Sequence, residues 1–535
     1  MARINPNSPQ PQKFIADPLD VNIALFRGVG IWTTLFLGMV QLFIESSLEN
    51  MLVVASIVGS TAVTYLYCFR RKQFQLHPFS AFMVLGNNFT MQLGALLFQT
   101  LYWRPLTYNL DQPVFTFTVL LGLQAALLLA HWLHSRFSVG ASSLIASAFW
   151  DKMGLFKAPS ISQLFLLGLI GCVATFVTKG GVSMSPSGVE SGRGMLLKVV
   201  EAFMFLVYLP PVLLVLHRRA RIALWEWGLL GLYFVIVLLL GLIGNSRGFF
   251  ATYPVVVILL FILGVLCGRV RIKRNALFVS FAVIFAGTLL ILPLSNLAIA
   301  MELVRSERGN ISYAELVRQT WNKSWDTQAL QDYIDRRSNV TSENHYYSEI
   351  YFENPFLNRL VVVKYQDNML GMAKGFSAAQ RAAVVDMTME KNWAILPNPI
   401  LVRLKPTVSK VYVTNFSMGD YFSYLSGREV LGSFRLGSLP AHAYVLFGFA
   451  LLPALVCISI VVFIGLDSFC LLPKFGPPRL AILALGLIWP IFTLYSYDSL
   501  LFVSLFFLRT VPQSFIIYWL IMKATDPLLG NKNEP

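Results

Sequence analysis

Long apolar runs constrain this chain more than any other feature. About twelve segments of roughly twenty residues are almost free of charged side chains, and this is the length that an α-helix needs to cross a bilayer. Backbone groups in lipid must be hydrogen-bonded within the protein, so such runs fold as helices. The sequence therefore predicts an all-α polytopic membrane protein with about twelve transmembrane helices. These predicted spans lie near 23–44, 50–69, 80–102, 113–133, 161–180, 197–217, 225–244, 248–268, 276–299, 441–466, 479–497 and 499–523.

The remaining charges are distributed unevenly along the chain. The net charge is +15, and only 13% of the residues are charged, against roughly a quarter in soluble domains. If the N-terminus is cytoplasmic, most of the basic surplus falls in alternate short loops, as the positive-inside rule requires. The surplus is thus a topology signal, and nucleic-acid binding is excluded as its cause. The basic residues of these inner loops are Arg70, Arg71, Lys72, Arg136, Lys152, Lys157, Arg218, Arg219, Arg221, Arg269, Arg271, Lys273, Arg274, Lys474 and Arg479.

The predicted spans divide unequally around one long polar segment. Residues 1–22 form a cytoplasmic tail, 23–299 hold nine spans, 300–440 form an outer domain, 441–523 hold three spans, and 524–535 form a second cytoplasmic tail. Transporters are usually built from repeated halves with broken helices at the midplane. Neither the loop lengths nor the Gly and Pro breaks show matching halves, so transport is the alternative interpretation. A non-catalytic scaffold is a further one.

The outer domain has the patterns of a small, mostly helical fold resting on the membrane. Residues 311–339 place helix-forming side chains at helical spacing. Ser377 and Gln380 stand in the positions of a capping box, and Ser417 is a candidate N-cap of a later helix. Between these two caps, 395–406 is punctuated by proline and is predicted to be extended.

A guanidinium interrupts the apolar sequence at GLIGNSRGFFATYP, residues 241–254. In the predicted topology Arg247 lies on the outer side, where basic residues are disfavoured. One interpretation is that its long side chain reaches the lipid headgroups. The other is that Arg247 binds an anion together with the first amides of a helix that starts at Gly248 and Phe249, an arrangement suited to phosphate.

A second candidate position is His442, where the outer domain returns to the membrane. A half-shielded imidazole is suited to proton transfer near neutral pH, and Arg435 would place a second cation nearby. The alternative is a structural histidine that is hydrogen-bonded to a helix end.

Four aromatic residues of the outer domain have two interpretations. They are candidate platforms on which sugars stack, but their residue types favour the alternative, in which they belong to the domain core. These residues are Trp321, Trp325, Tyr421 and Tyr424.

The sequence contains no recognisable metal-binding or nucleotide-binding motif. The five cysteines lie in predicted spans or on the inner side, and their spacing matches neither a metal site nor a disulfide framework. No metal and no cofactor are therefore predicted. These cysteines are Cys68, Cys172, Cys267, Cys457 and Cys470.

The arrangement resembles the O-antigen polymerase and O-antigen ligase superfamily. The resemblance rests on a large outer domain between late spans, on NSRG opening an outer-side helix, and on GSLPAHAYVLFG leading into the next span. It implies a fold like that of C-type glycosyltransferases. It also implies that Arg247 holds the pyrophosphate of a lipid-linked sugar and that His442 activates the acceptor hydroxyl. The family often has Asn after this histidine and Glu-Gly shortly beyond, where this chain has Ala443 and Phe447-Gly448.

This resemblance implies a bacterial inner-membrane polymerase for a surface polysaccharide. Such an enzyme joins oligosaccharide repeat units carried on undecaprenyl pyrophosphate, on the periplasmic face and without a metal. Arg247, Gly248 and Arg435 would bind pyrophosphate, His442 would be the base, and Tyr421 and Tyr424 would bind sugar. Membrane lipids, a flippase and a chain-length regulator are the expected partners. The alternatives are an O-antigen ligase-type transferase and a transporter of polysaccharide or lipid-linked sugar.

Overall fold

The computed structural model describes most of the chain, and the described part is mostly helical, with one pair of two-residue strands. Within it, eight helices are long and apolar enough to cross a membrane, or nine if one bent pair forms a single span. The predicted class of an all-α protein with many membrane-spanning helices is supported, while most of the predicted span 276–299 lies outside the described residues. The described residues are 18–137, 141–180, 192–216, 223–244, 246–270, 295–307, 311–343, 348–428, 430–432, 435–473, 476–496 and 498–529.

Most of the described residues belong to helices. Three π-helical turns (Phe89–Leu93, Phe176–Gly180 and Phe506–Thr510) continue α-helices, and β1 (Cys470–Leu471) pairs antiparallel with β2 (Arg479–Leu480). In chain order the α-helices are α1 (Pro18–Ile44), α2 (Leu48–Cys68), α3 (Arg71–Leu76), α4 (Pro78–Asn88), α5 (Gly94–Leu101), α6 (Pro113–Phe137), α7 (Ala141–Lys152), α8 (Ile161–Thr175), α9 (Gly192–Glu201), α10 (Leu213–Leu216), α11 (Leu224–Ile243), α12 (Arg247–Leu266), α13 (Tyr313–Trp325), α14 (Thr327–Glu343), α15 (Leu357–Leu360), α16 (Val363–Gly375), α17 (Ala378–Trp393), α18 (Asn398–Leu404), α19 (Lys410–Thr414), α20 (Met418–Leu425), α21 (Leu439–Phe447), α22 (Leu451–Asp467), α23 (Ile482–Gly486), α24 (Ile488–Phe492), α25 (Leu500–Leu505) and α26 (Val511–Leu529).

The helix formed by α4, its π turn and α5 lies in the interior of the helix assembly. Of its most apolar stretch 89% is buried inside the protein, against 22% for α1. Several of its polar side chains bond to neighbouring segments: Asn87 donates to Gln124 at 2.8 Å, and the hydroxyls of Thr90 and Ser496 lie 2.5 Å apart. Buried amides and hydroxyls in a membrane interior require such partners. This helix is therefore the core around which the others pack.

Two of the predicted C-terminal spans are divided in the structure. The run 441–466 becomes α21 and α22, which are separated at Gly448, whose φ of 54° lies in the left-handed region. The run 479–497 becomes β2 and the short helices α23 and α24, which are largely buried. Glycine adopts positive φ without a steric cost, so the break at Gly448 is encoded locally.

Contacts between loops join segments that the charge distribution assigns to the same side. At one end Lys157 binds Asp526 at 2.8 Å, and Arg269 donates to the Pro478 carbonyl at 2.9 Å. At the other end Arg104 binds Glu353 of the outer domain. We call the end that carries the outer domain the outer end and the opposite one the inner end.

The outer domain is helical in its described residues, and its predicted caps are present. Ser377 and Gln380 form the capping box of α17, and Ser417 caps α20 together with Asp420. The prediction that 395–406 is extended is wrong, because α18 forms there. Its proline lies in the first helical turn, where a missing N–H costs no hydrogen bond.

Hydrogen bonds seat this domain on the outer ends of α5 and α6. The carboxylate of Asp367 accepts the backbone N–H groups of Asp111 at 2.7 Å and Gln112 at 3.0 Å, just before α6 begins. Gln99 of α5 donates to the Tyr351 carbonyl at 3.0 Å. A carboxylate at a helix N-terminus is stabilised by the free amides and by the helix dipole. The domain is thus an integral part of the outer end.

Candidate functional site

The helix that carries His442 is fixed at its start. Ser438 accepts the Ala441 N–H at 3.1 Å and donates to the side chain of Gln366, while Pro440 occupies the first turn. His442 then projects into the interior and is 1% exposed. Its Nε2 lies 2.7 Å from the Thr388 hydroxyl, and its Nδ1 accepts the Leu500 N–H at 3.3 Å.

These contacts define the protonation of the ring. Nδ1 must carry a lone pair to accept the amide at the start of α25, so the proton lies on Nε2. The Thr388 hydroxyl donates to the Val384 carbonyl at 2.6 Å, and it therefore accepts from Nε2. His442 is held as a neutral imidazole with both nitrogens engaged. These are the contacts that the structural alternative predicts, and action as a base requires that one of them open.

Arg435 lies where the outer domain descends toward α21. Its guanidinium is 3.6 Å from the Glu349 carboxylate, and its backbone N–H donates to Asp420 at 2.7 Å. The Ser417 hydroxyl donates to the Arg435 carbonyl. The N-terminus of α20 thus fixes the backbone of this segment, and its cationic side chain is partly exposed.

A partly buried carboxyl that sequence reasoning did not single out lies in the segment that leads into α25, whose first N–H binds His442. Asp498 stands two residues before Leu500, and burial raises the pKa of its carboxyl. Burial also lowers the pKa of the nearby Lys391 amine, against the opposing charges of Asp498 and Asp420. A carboxyl with a raised pKa in a protected position is suited to proton transfer. In the sequence, Asp498 could have been noticed as an acidic residue on the predicted outer side, between two apolar runs.

Arg247 is the first residue of α12, as predicted, with Ser246 at the N-cap. The side chain of Arg247, like that of its neighbour Phe250, lies outside the described residues. The first turn is anchored by Phe249, which packs with Tyr233 and Tyr253. Gly248 follows Arg247 in this turn, so its backbone N–H belongs to the amides at the start of the helix.

The described contacts do not bring Arg247 and His442 together. The main packing partners of α12 are α1, α10, α11 and α24, whereas those of α21 are α6, α16, α17, α22 and α25. The two sets share no helix. A common site for the two residues remains a prediction.

The four candidate aromatic residues divide between core and surface. Tyr421 is 9% exposed and stacks on Phe416 within the domain core, whereas Tyr424 is 51% exposed. Trp321 and Trp325 are 54% and 68% exposed and pack edge to face. An exposed aromatic face can stack on a sugar ring, so these two tryptophans and Tyr424 fit that role better than Tyr421 does.

A second group of titratable residues lies at the inner end. His77 precedes α4, His134 lies in the last turn of α6, and Asp467 ends α22. His134 Nε2 and His77 Nδ1 lie 2.8 Å and 3.2 Å from one oxygen of Asp467. All three residues are buried, and one ligand atom of each lies within 4.8 Å of the others. This is the arrangement in the described chain that could hold a metal ion.

Hydrogen bonds continue from this group. Ser80 donates its backbone N–H to Asp467 at 3.1 Å and its hydroxyl at 2.6 Å. The same hydroxyl lies 2.9 Å from His131 Nε2, whose Nδ1 is 2.9 Å from the Tyr67 hydroxyl. His131 and His134 are three residues apart, so helical spacing places them on one face of α6. The sequence places both histidines at the inner surface but gives no sign that Asp467 joins them.

Comparison with known proteins gives no family for this arrangement. No protein-family model, no curated protein and no solved structure matches the chain.

Proposed function

We propose that this protein is a membrane glycosyltransferase that lengthens a surface polysaccharide on the outer side of the bacterial inner membrane. The donor is an oligosaccharide on undecaprenyl pyrophosphate, and the acceptor is a hydroxyl of the next repeat unit. The observation that carries the proposal is the position of Arg247 at the first residue of α12. A guanidinium carried by the first residue of a helix would be close to the free amides of the helix N-terminus, and both groups stabilise a pyrophosphate.

The reaction needs two kinds of assistance. The bond between the sugar carbon and the pyrophosphate oxygen breaks, and the departing group takes the electron pair and gains negative charge. Arg247, the Gly248 amide and Arg435 would stabilise this charge without a metal. The acceptor hydroxyl forms the new bond and loses its proton to a base. His442 would serve if its bond to Thr388 or Leu500 opened, and the carboxyl of Asp498, two residues before Leu500, is the other candidate base.

The outer domain supports the extended part of this substrate. A lipid tail would lie among the membrane helices, and the glycan would emerge against the domain seated on α5 and α6. Tyr424, Trp321 and Trp325 present exposed rings at its surface, to which sugars could stack.

The decisive experiment concerns Arg247. Full-length protein in liposomes is supplied with undecaprenyl-pyrophosphate-linked oligosaccharide, and chain length is read as a ladder on a gel. We expect Arg247→Ala to reduce elongation by about 100-fold or more, the scale for loss of one charge-stabilising group. Arg247→Lys should retain part of the activity, because it keeps the charge but loses the planar fork.

Arg318→Ala is the matched control. Arg318 belongs to the outer domain and forms an exposed pair with Glu315, so its loss should leave both expression and chain length unchanged. Wild-type elongation by a well-expressed Arg247→Ala protein would refute the proposed mechanism.

The same assay shows whether His442 or Asp498 is the base. If His442 is the base, His442→Gln abolishes elongation while the protein stays folded, and Asp498→Asn retains it. The reverse pattern assigns the proton transfer to Asp498 and leaves His442 a structural residue.

An O-antigen ligase-type transferase is distinguished by its acceptor. A ligase moves the finished glycan onto a lipid acceptor and produces no ladder of lengthened undecaprenyl-linked chains. If the product appears on the added lipid acceptor alone, the protein is a ligase rather than a polymerase.

Transport of a polysaccharide or a lipid-linked sugar is the second candidate, and the interior helix favours it. Asn87, Asn88, Thr90 and Gln92 are buried within a membrane-spanning segment, and buried polar groups at such depth often line a substrate path. Movement of a labelled lipid-linked oligosaccharide across the liposome membrane without elongation would favour transport.

A further inference from the structure

The residues at the inner end form a ligand set rather than a surface patch. His77 and His134 present one ring nitrogen each to the same carboxylate oxygen of Asp467, at 3.2 Å and 2.8 Å. Ligand atoms around a tetrahedral zinc ion lie about 3.3 Å apart, given metal–ligand bonds of about 2.0–2.1 Å. The two separations from the Asp467 oxygen are close to this value, and all three ligand atoms lie within 4.8 Å of one another.

Hydrogen bonds from Ser80 fix the orientation of the Asp467 carboxylate. Both groups of Ser80 point at Asp467: the backbone N–H at one oxygen and the hydroxyl at the other, at 3.1 Å and 2.6 Å. Ser80 is in turn linked to His131 at 2.9 Å. Metal ligands are commonly held by hydrogen bonds of this kind, which fix their direction and raise their affinity.

The buried negative charge of Asp467 also favours a bound cation. Asp467 is 4% exposed, and its described ion-pair partners are the two histidines. A buried carboxylate is costly unless positive charge compensates it. Neutral imidazoles around a divalent ion would satisfy the carboxylate without protonation of either ring.

We propose that His77, His134 and Asp467 bind one divalent transition-metal ion at the inner end. Two imidazoles and one carboxylate are a ligand set that suits zinc, and hard cations such as magnesium prefer oxygen ligands. Three protein ligands would leave a fourth position of a tetrahedral ion for water.

The ion would join segments that are distant in the sequence. His77 precedes α4, His134 ends α6, and Asp467 ends α22, so the span groups on both sides of the outer domain meet at one point. A metal that binds the folded state but not the unfolded chain stabilises the fold by its binding free energy. The site would therefore fasten the helix assembly at the end opposite the outer domain. It is independent of the proposed glycosyl transfer.

The test measures metal rather than enzymatic activity. Full-length protein is purified in detergent, stripped with a chelator, and titrated with Zn²⁺ or Co²⁺ while bound metal and melting temperature are recorded. We expect about one ion per chain and a melting temperature that rises with metal, as mass action requires. The double variant His77→Gln, His134→Gln should lose both responses, and Ser80→Ala should weaken binding by about 10-fold to 100-fold.

His442→Gln is the matched control. His442 is another buried histidine of the same chain, and its described hydrogen bonds are to Thr388 and Leu500, so its replacement should leave the bound metal at one ion per chain. If wild-type protein binds no more metal than the double variant, or if added metal leaves its melting temperature unchanged, the proposal is overturned.

A further variant covers the case in which the double variant does not fold. Asp467→Cys retains a zinc ligand, since a thiolate binds zinc and cobalt. With Co²⁺ it should give the intense absorption band of a cobalt–thiolate bond. A folded Asp467→Cys protein without this band would also overturn the proposal.

Discussion

His442 at the outer end and the pair His77 and His134 at the inner end are buried to a similar degree, yet their hydrogen bonds differ in kind. His442 binds a threonine hydroxyl and a backbone amide at a helix start. The inner pair converges on the carboxylate of Asp467. Burial alone favours the neutral imidazole, whereas a buried carboxylate requires a positive partner.

This difference separates two uses of the same residue type. At the outer end a neutral ring connects the helices α17, α21 and α25, and it could take up a proton only after a bond opens. At the inner end the carboxylate of Asp467 faces both histidines, and the proposed metal ion would supply the positive charge that balances it. The presence or absence of an acidic partner therefore indicates the role of a buried histidine better than its position relative to the membrane does.

The largest effect should follow loss of the inner carboxylate. We expect Asp467→Ala to lower the free energy of unfolding by about 3–5 kcal/mol, the scale for breaking a buried ion pair by removing one partner. The measurement is chemical denaturation of the full-length protein in detergent. A loss below about 1 kcal/mol, the scale of an exposed ion pair, would mean that the inner group is not the charged centre described here.

Ser80→Ala should have the next largest effect. It removes a hydroxyl donor from a charged carboxylate and a partner from His131. A hydrogen bond to a charged group contributes about 1.5–3 kcal/mol, so we expect a loss in that range by the same denaturation assay. Ser56→Ala is a suitable control, because the Ser56 hydroxyl donates to the Val53 carbonyl one turn back in its own helix. Equal effects of the two serine variants would contradict the assigned role of charge.

Thr388→Val should cost less, because both partners at the outer end are neutral. The variant keeps the shape of the side chain but leaves His442 Nε2 without its acceptor. An unsatisfied buried donor costs about 1–2 kcal/mol here, toward the lower end of the usual range. If Thr388→Val destabilises the protein more than Ser80→Ala does, the proposed difference between neutral contacts at the outer end and a charged group at the inner end is wrong.

Asp498→Asn should give the smallest effect, with a sign that depends on pH. Burial holds the pKa of the Asp498 carboxyl above its usual range. Its folded-state pKa thus exceeds the unfolded-state value, and stability is lost as pH rises through the folded-state pKa. Asparagine avoids this cost and tolerates the left-handed backbone, where φ is 51°. We therefore expect the variant to melt slightly higher than wild type at neutral pH.

The pH series supplies the check on this last prediction. The difference in melting temperature should vanish as the pH falls below the unfolded-state pKa of about 3.9, where the carboxyl is protonated in both states. A variant that melts lower than wild type at neutral pH would show that the attraction to Lys391 outweighs the burial of the carboxylate.

The all-α class was predictable, because long apolar runs in a membrane must fold as helices. The runs 113–133 and 225–244 correspond to α6 and α11, and the difference at their ends is at most four residues. The Ser377 cap also followed from its local pattern. The runs that became α21 to α24 were less predictable, since an apolar composition does not indicate where a Gly or Pro break divides a span.

The sites were less predictable because they depend on distant contacts. Arg247 was identified as the start of a helix from four neighbouring residues, and the structure has that start. Asp467 is separated from His77 by 390 positions, and no periodicity connects the two. Likewise, the two partners of His442 come from α17 and from the start of α25, which only the folded chain brings together.

The π-helical turn at Phe89–Leu93 gives the interior helix a particular sensitivity to changes in length. One residue advances an α-helix by about 100°, and π turns accommodate an extra residue within a helix. Beyond this turn Gln99 donates to the Tyr351 carbonyl at 3.0 Å, and Thr100 accepts from Gln41 at 3.0 Å. Deletion of a single codon here would rotate both side chains away from their partners while every other residue kept its identity. Insertions and deletions in this segment, more than substitutions, should therefore be selected against during evolution of the chain.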